Sequence, residues 1–359
     1  LLIGVGAALV ALLLSAAKSR ELGNKLPMMA VSGTAALVGL LPGGEATRLV
    51  FLEIAALAAF YVVWKTSRSR IAGKAYLAAV LVSAAATIAG TLIKNEAPSS
   101  LVVALLLTGL AVKLAMVPLY LWLPLVAESV PAAVVGLVTA VVDVAAFGEL
   151  LALKEGTPWL FEPALPWLAF ALLSAFVGAV LMLGQKDLKR LLAFSTIEDM
   201  GYLVLGVTAG GELGSAGAAA GAAVHALAKA LLFSSLTKIE ADGAPLSLSG
   251  KGMAARYPAA GAGFLCGALA MLGVPPTAGY PARWRLYECA GQAGAYALII
   301  LFAATALAVL AYSRVIAEYW WGGGDEAAKE PEPAVLTAAL AALAALLFVF
   351  GLAPRLLTG

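Results

Sequence analysis

One histidine, two cysteines and a charged share of only 12% leave this 359-residue chain few of the groups from which catalytic and metal sites are built. With His225 as its single imidazole there is no second histidine for a metal, and Cys266 and Cys289 have neither metal-ligand spacing nor a disulfide framework. Both cysteines read as small buried apolar residues. A cysteine cluster and a glycine-rich dinucleotide fingerprint are also missing, so no catalytic residue, metal or cofactor is expected in this chain. The net charge of +2 is too small to suggest nucleic acid. The sequence starts inside an apolar run, Leu1 to Ala17, with no Met and no basic leader. No cleavable signal stands out, and either the mature start is unusual or the numbering begins after missing residues.

What the chain has is apolar length. It is 62% hydrophobic with a mean hydropathy of +0.97, against roughly 45–50% apolar residues in soluble domains. Runs near the ~20 residues needed to cross ~30 Å of hydrocarbon recur throughout, continuous and not alternating with period two. The expectation is an all-α polytopic membrane protein of about 12 transmembrane helices, near 1–17, 27–42, 48–64, 76–93, 100–123, 131–153, 164–184, 191–209, 217–237, 259–290, 294–315 and 334–354. Putting the loop after the first span in the cytoplasm gathers most basic loop residues there, around Lys65 to Lys74, Lys186 to Arg190 and Lys238 to Arg256. Opposite loops keep little more than Arg48, Lys94 and Lys154, so both termini are expected outside the cytoplasm.

Two spans are interrupted. Pro118 and Pro124 follow Lys113 in the fifth; in the tenth, Gly273-Val-Pro-Pro-Thr-Ala-Gly-Tyr-Pro281 is followed by Arg283 and Arg285. Proline removes a donor and clashes with the preceding turn, so each should be a broken helix whose freed carbonyls line a cavity. The interruptions lie five spans apart, an odd number, so the broken helices cross in opposite directions. That pattern marks inverted repeats around a midplane ion site. The division is 1–26 as a peripheral first helix, 27–153 and 164–315 as two inverted five-helix repeats, and 334–359 as a peripheral last helix.

Ionisable residues in these runs are the candidate site, because an unpaired charge in hydrocarbon costs several kcal/mol. Lys113 lies in an otherwise apolar run, and Glu53 in the third span offers it an opposite charge. Asp143 falls mid-span in the sixth, with Glu149 about two turns beyond. His225 and Lys229, four apart, share one face of the ninth span. A group titrating near neutrality suits a proton relay better than a metal. Glu198 and Asp199, about two turns from the basic loop 185–190, are either a cytoplasmic proton entrance or a helix-end ion pair with its lysines. Arg283 keeps its proton and would act as a fixed charge.

Lys113-Leu-Ala-Met-Val-Pro-Leu-Tyr-Leu-Trp-Leu-Pro124, Ala127-Glu-Ser-Val-Pro131, Gln185-Lys-Asp-Leu-Lys-Arg-Leu-Leu-Ala-Phe-Ser-Thr-Ile-Glu198, His225-Ala-Leu-Ala-Lys-Ala-Leu-Leu-Phe233 and Gly273 to Trp284 occur in this order. Together they resemble the antiporter-like proton-pumping subunits of respiratory complex I, energy-converting membrane-bound hydrogenases and multi-subunit cation/proton antiporters. Members usually have fourteen helices, so the resemblance implies that the first two are absent here. It implies Glu53 and Lys113 as the pair of a first half-channel, and His225 and Lys229 in the central and second half-channel relay. It also marks departures: Asp143 and Arg283 where relatives carry lysines, and Tyr120 in place of a histidine. The Ser-Thr-Ile-Glu form at 195–198 looks more like the hydrogenase-associated branch.

The resemblance implies a non-redox, ion-translocating subunit in the cell membrane. Its partners would be other membrane subunits, further antiporter-like ones included, lipid, and peripheral redox subunits holding iron–sulfur clusters and nickel–iron or flavin centres. A non-pumping structural subunit of the same array and a stand-alone cation/proton antiporter stay open beside it, as does the choice between proton and sodium.

Overall fold

The computed structural model of the chain describes residues 1–17, 19, 21–97, 99–162, 164–323 and 329–358. The principal helices are α1 (Leu2–Ala17), α2 (Leu26–Gly39), α3 (Glu45–Thr66), α4 (Arg70–Ile93), α5 (Ser99–Lys113), α6 (Trp122–Ser129) and α7 (Ala132–Gly156). They continue with α8 (Ala164–Leu183), α9 (Leu188–Ala209), α10 (Gly211–Ala241), α11 (Pro258–Met271), α12 (Gly279–Ala293), α13 (Ala295–Trp320) and α14 (Ala334–Leu352). Eight of them are long and apolar enough to cross a membrane: α3, α4, α7, α8, α9, α10, α13 and α14. The other four expected spans consist of shorter pieces: α1, α2, α5 with α6, and α11 with α12.

Burial divides the helices into an axis and a jacket. The apolar stretch of α9 is 100% buried and those of α7 and α10 are 83% buried, whereas α4 is 28% buried and faces outward. Charged side chains are tolerable on α7, α9 and α10 because protein, and not lipid, surrounds them. With no hydrophobic drive between helices in lipid, close approach falls to small residues. A Cβ on Gly201 of α9 would lie 2.4 Å from the Ala175 nitrogen and 2.5 Å from the Ala171 carbonyl oxygen of α8. The loops that carry most of the basic residues meet at one end: Lys189 Nζ donates to Val130 O and Glu240 Oε1, both at 2.7 Å, and Arg190 reaches Glu128 at 3.0 Å. At the other end Lys94 pairs with Glu45.

Both breaks begin with the same helix stop. After α5, Met116 N donates to Ala111 O at 2.8 Å and Ala115 N to Val112 O at 3.2 Å, with Ala115 at φ 49°. After α11, Val274 N donates to Leu269 O at 2.9 Å and Gly273 N to Ala270 O at 3.1 Å, with Gly273 at φ 70°. Each is a Schellman cap, in which a left-handed residue turns the chain off the helix and reuses its last carbonyls. Carbonyls freed by each break are taken up by side chains of the following helix. Trp122 Nε1 donates to Val112 O at 2.9 Å, and Arg283 Nε and Nη2 donate to Met271 O at 3.2 and 2.6 Å. Val112 and Met271, whose carbonyls these donors engage, each line a cavity beside their break. Within α7, Leu137–Val142 winds as a π-helix and delivers Asp143 to the next turn, the kind of local irregularity that accompanies functional positions.

Candidate functional site

Lys113 is the last residue of α5, so the break leaves its ammonium at the edge of a helix end, inside the bundle. Nζ lies 2.6 Å from Glu53 Oε1 on α3 and 3.3 Å from Glu149 Oε2 on α7. All three side chains are largely buried, with relative exposures of 9%, 14% and 3%. The sequence pattern pairs Lys113 with Glu53 and marks Glu149 only as a neighbour of Asp143. Its signal was available, since Glu149 is a second carboxylate in a span otherwise apolar from Ala132 to Leu153 apart from Thr139 and Asp143.

Asp143 is 2% exposed, and its Oδ2 has no hydrogen-bond partner among the described residues. It lines a cavity of about 30 Å³ together with Lys113, Tyr76, Ser83 and Trp122. That space holds about one or two waters. The first cluster thus sets three carboxyls, Glu53, Glu149 and Asp143, against one ammonium. Its surplus acid requires a bound proton or hydration, since an unneutralised carboxylate inside a bundle costs several kcal/mol.

The second cluster sits behind the α11–α12 break. Arg283 Nη1 reaches Glu198 Oε1 at 3.2 Å and Nη2 reaches Asp199 Oδ1 at 3.0 Å, while its guanidinium carbon lies 4.0 Å from the centre of the Tyr202 ring. Tyr202 is fixed in turn by its hydroxyl, which donates to Leu301 O at 2.5 Å. His225 Nδ1 pairs with Asp199 Oδ2 at 2.7 Å. Its Nε2 has no hydrogen-bond partner among the described residues. Lys229 is fully buried and donates to Leu192 O at 2.8 Å, with no carboxylate within 4.0 Å among the described residues. His225 and Lys229 therefore share a face directed at α9, as their spacing of four indicated.

One expectation is corrected. Glu198 and Asp199 do not pair with the basic loop, whose Lys189 and Arg190 are engaged by Glu240 and Glu128. Nine residues of helix, about 13 Å, separate Lys189 from Glu198. The burial of α9 turns both acids inward to Arg283 and His225.

Comparison with known proteins bears on what this arrangement is. Residues 56–308 match the NADH:quinone oxidoreductase/Mrp antiporter transmembrane family. NADH-quinone oxidoreductase subunit 14 of Thermus thermophilus is 34% identical over 269 residues, 72% of this chain and 58% of that protein. Among solved structures, a chain of respiratory complex I from Thermus thermophilus superimposes with a TM-score of 0.74 at 25% identity, covering 99% of this chain and 92% of that one. A chain of an archaeal membrane-bound sulfane sulfur reductase gives a TM-score of 0.89 at 22% identity, covering 98% and 63%, a likeness of fold. The chain spans about half the length of the first curated relatives it matches. With well over half of its own length inside the family match, the chain belongs to the NADH:quinone oxidoreductase/Mrp antiporter transmembrane family.

Proposed function

We propose that this chain is an antiporter-like, ion-translocating subunit of a complex I-like or hydrogenase-type redox assembly, multi-pass in the cytoplasmic membrane. Electron transfer occurs in partner subunits, where iron–sulfur clusters and nickel–iron or flavin centres belong, and this chain moves protons or sodium ions. Residues 27–153 and 164–315 serve as the two repeats, with 1–26 and 334–359 peripheral. The carrying observation is that each broken helix abuts a buried ionic cluster, with Asp143 beside Lys113 in the first and His225 bound to Asp199 in the second.

Lys113, Glu53, Asp143, His225, Lys229 and Arg283 then share the work, with Glu149 as a second anchor for Lys113. The ammonium of Lys113 is shared between Glu53 and Glu149, so a proton arriving on either carboxyl weakens that arm and favours the other. The Glu149 arm lies on the helix that carries Asp143. Arg283 does not release its proton, so it biases Glu198 and Asp199 while transfers pass through His225 and Lys229. The non-pumping scaffold is the rival reading, favoured by one observation: Arg283 is held at once by two carboxylates and the Met271 carbonyl.

Purification and reconstitution separate them. The complex should co-isolate with redox subunits, and Lys113→Ala should lower ions moved per electron far more than it lowers assembly. A Lys113→Ala complex that pumps like the parent would sink the translocation reading, and isolation of a lone active antiporter would sink the redox assembly.

A further inference from the structure

The α11 half of the second broken helix, Pro258–Met271, contains no Asp, Glu, Lys, Arg or His, so charge can hold it only from its ends. Both ends are held. At the first turn the Ala259 and Ala260 amides donate to Glu332 Oε2 and Oε1, each at 2.8 Å. Pro258 has no N–H and the Gly261 amide already returns to Tyr257 O at 2.9 Å, so this one carboxylate takes up the free donors of the turn. At the last turn Arg283 grips Met271 O through Nε and Nη2. An anion thus sits at the positive end of the helix dipole and a cation at its negative end.

Between the ends, the contact with α10 is smooth. A Cβ on Gly263 would lie 2.7 Å from Ser235 Oγ, and one on Gly267 would lie 2.7 Å from Leu232 Cγ and 3.2 Å from Ala228 O. Small residues four apart let the two helices lie close, but they give little resistance to sliding along the axis. Glu332 supplies a stop. It belongs to the segment entering α14, where Glu330 N donates to Arg256 O and Arg256 Nη2 to Glu330 Oε1, both at 2.9 Å. From there α14 packs along α11 and accepts the Ala278 amide, beyond the break, on Leu347 O at 2.8 Å. Ala334 to Leu347 and Pro258 to Met271 each span ~20 Å of helix, so α14 is a splint matched in length to α11.

We infer that Glu332 is the positioning residue of the second cluster: by stopping α11 at its first turn it sets how far the Met271 carbonyl reaches into the bundle, and so where Arg283 meets Glu198 and Asp199. Glu332 carries no ion itself, since a full helix length separates it from those groups. The inference rests on the translocation reading above and adds the element that keeps the cluster in register.

The assembled complex, reconstituted in vesicles, tests it. Glu332→Ala, or Glu332→Gln if the larger change fails to assemble, should lower ions moved per electron about twofold or more, the size of effects relayed through packed elements. Glu330→Ala removes the neighbouring pair with Arg256 and should leave ions per electron as in the parent. The deciding measurement is a double-mutant cycle with Arg283→Lys, which loosens the grip on Met271 O. Glu332 and Arg283 act at ends of α11 ~20 Å apart, a separation at which unrelated substitutions usually add. The double variant should lose clearly less than the two single losses summed, because a helix released at one end has little register left to lose at the other. Additive losses, or parent-like ions per electron in the Glu332 variant, overturn the inference. A loss in Glu330→Ala equal to that in the Glu332 variant overturns it too, since the whole segment would then be a structural tie. If Lys113→Ala pumps like the parent, the translocation reading itself has failed. The same cycle read as thermal midpoints then decides the link between Glu332 and Arg283 alone, and additive shifts would sever it.

Discussion

At the first break one ammonium is shared by two carboxylates, with a third across a cavity the size of a water or two; at the second, a guanidinium is bound by two carboxylates and a carbonyl, and a tyrosine ring covers it. The two breaks of this chain carry comparable charge, yet the cation at the first is a lysine and at the second an arginine, which keeps its proton. Under the proposed function, carriage and anchorage are separated in the second half: Arg283 anchors, and the movable proton is left to His225 and to Lys229, which binds no carboxylate among the described residues. Assembly should therefore depend most on Arg283, and pumping most on Lys113 and Lys229.

The largest effect that would break this contrast is on stability. Arg283→Ala leaves buried Glu198 without its cation and Asp199 with only His225, a change of the kind that costs about 3–5 kcal/mol. The variant should assemble poorly, read as the yield and thermal midpoint of the purified complex. Arg283→Lys keeps the charge and should recover most of the yield. If Lys113→Ala is the less stable of the two, the division between anchor and carrier is reversed.

Next in size is the shared ammonium. Glu149→Gln and Glu53→Gln each leave Lys113 one ionised partner, so each should reduce pumping with little loss of assembly. The double variant should lose more of both than the single effects summed, since residues sharing one partner couple. Simple additivity in a double-mutant cycle would show that Lys113 is not shared. Asp143 sharpens the same cluster: Asp143→Asn removes its charge and should slow pumping, while Asp143→Lys restores the charge implied by the family resemblance and should pump at least as well as Asn. Parent-like pumping by both would remove Asp143 from the path.

How much of this was readable beforehand follows from what each residue costs. Lys113, Asp143 and Arg283 stand out because charge in an apolar run needs a reason, and the two breaks because proline cannot continue a helix. Partnership was not readable. Glu198 and Asp199 sit two turns from a basic loop in sequence, yet the rotation of a wholly buried α9 gives them to Arg283, 84 and more residues away. Glu149 likewise reaches Lys113 only through the packing of α7 against α5. The hold of Glu332 on Ala259 and Ala260 joins positions 73 and 72 apart and has no local signature.

The smallest effect concerns the two helix stops themselves. Both need a left-handed residue, yet the first uses Ala115 at φ 49° and the second Gly273 at φ 70°. An L residue in that region costs roughly 1–2 kcal/mol, a strain glycine does not bear. Ala115→Gly should therefore be neutral to stabilising by up to about 1 kcal/mol, after the entropy glycine adds to the unfolded chain is subtracted. Gly273→Ala should be destabilising by more than that gain. Beyond the backbone strain, its Cβ would lie 2.9 Å from Arg283 Cγ and 3.1 Å from Arg283 Cβ, so the guanidinium's anchorage shifts with it. Thermal midpoints of the two variants should move in opposite directions, and pumping should fall only in Gly273→Ala. Equal shifts in the same direction would mean that the second break tolerates a side chain, and that the Arg283 cluster is less tightly fixed than the contrast between the two halves requires.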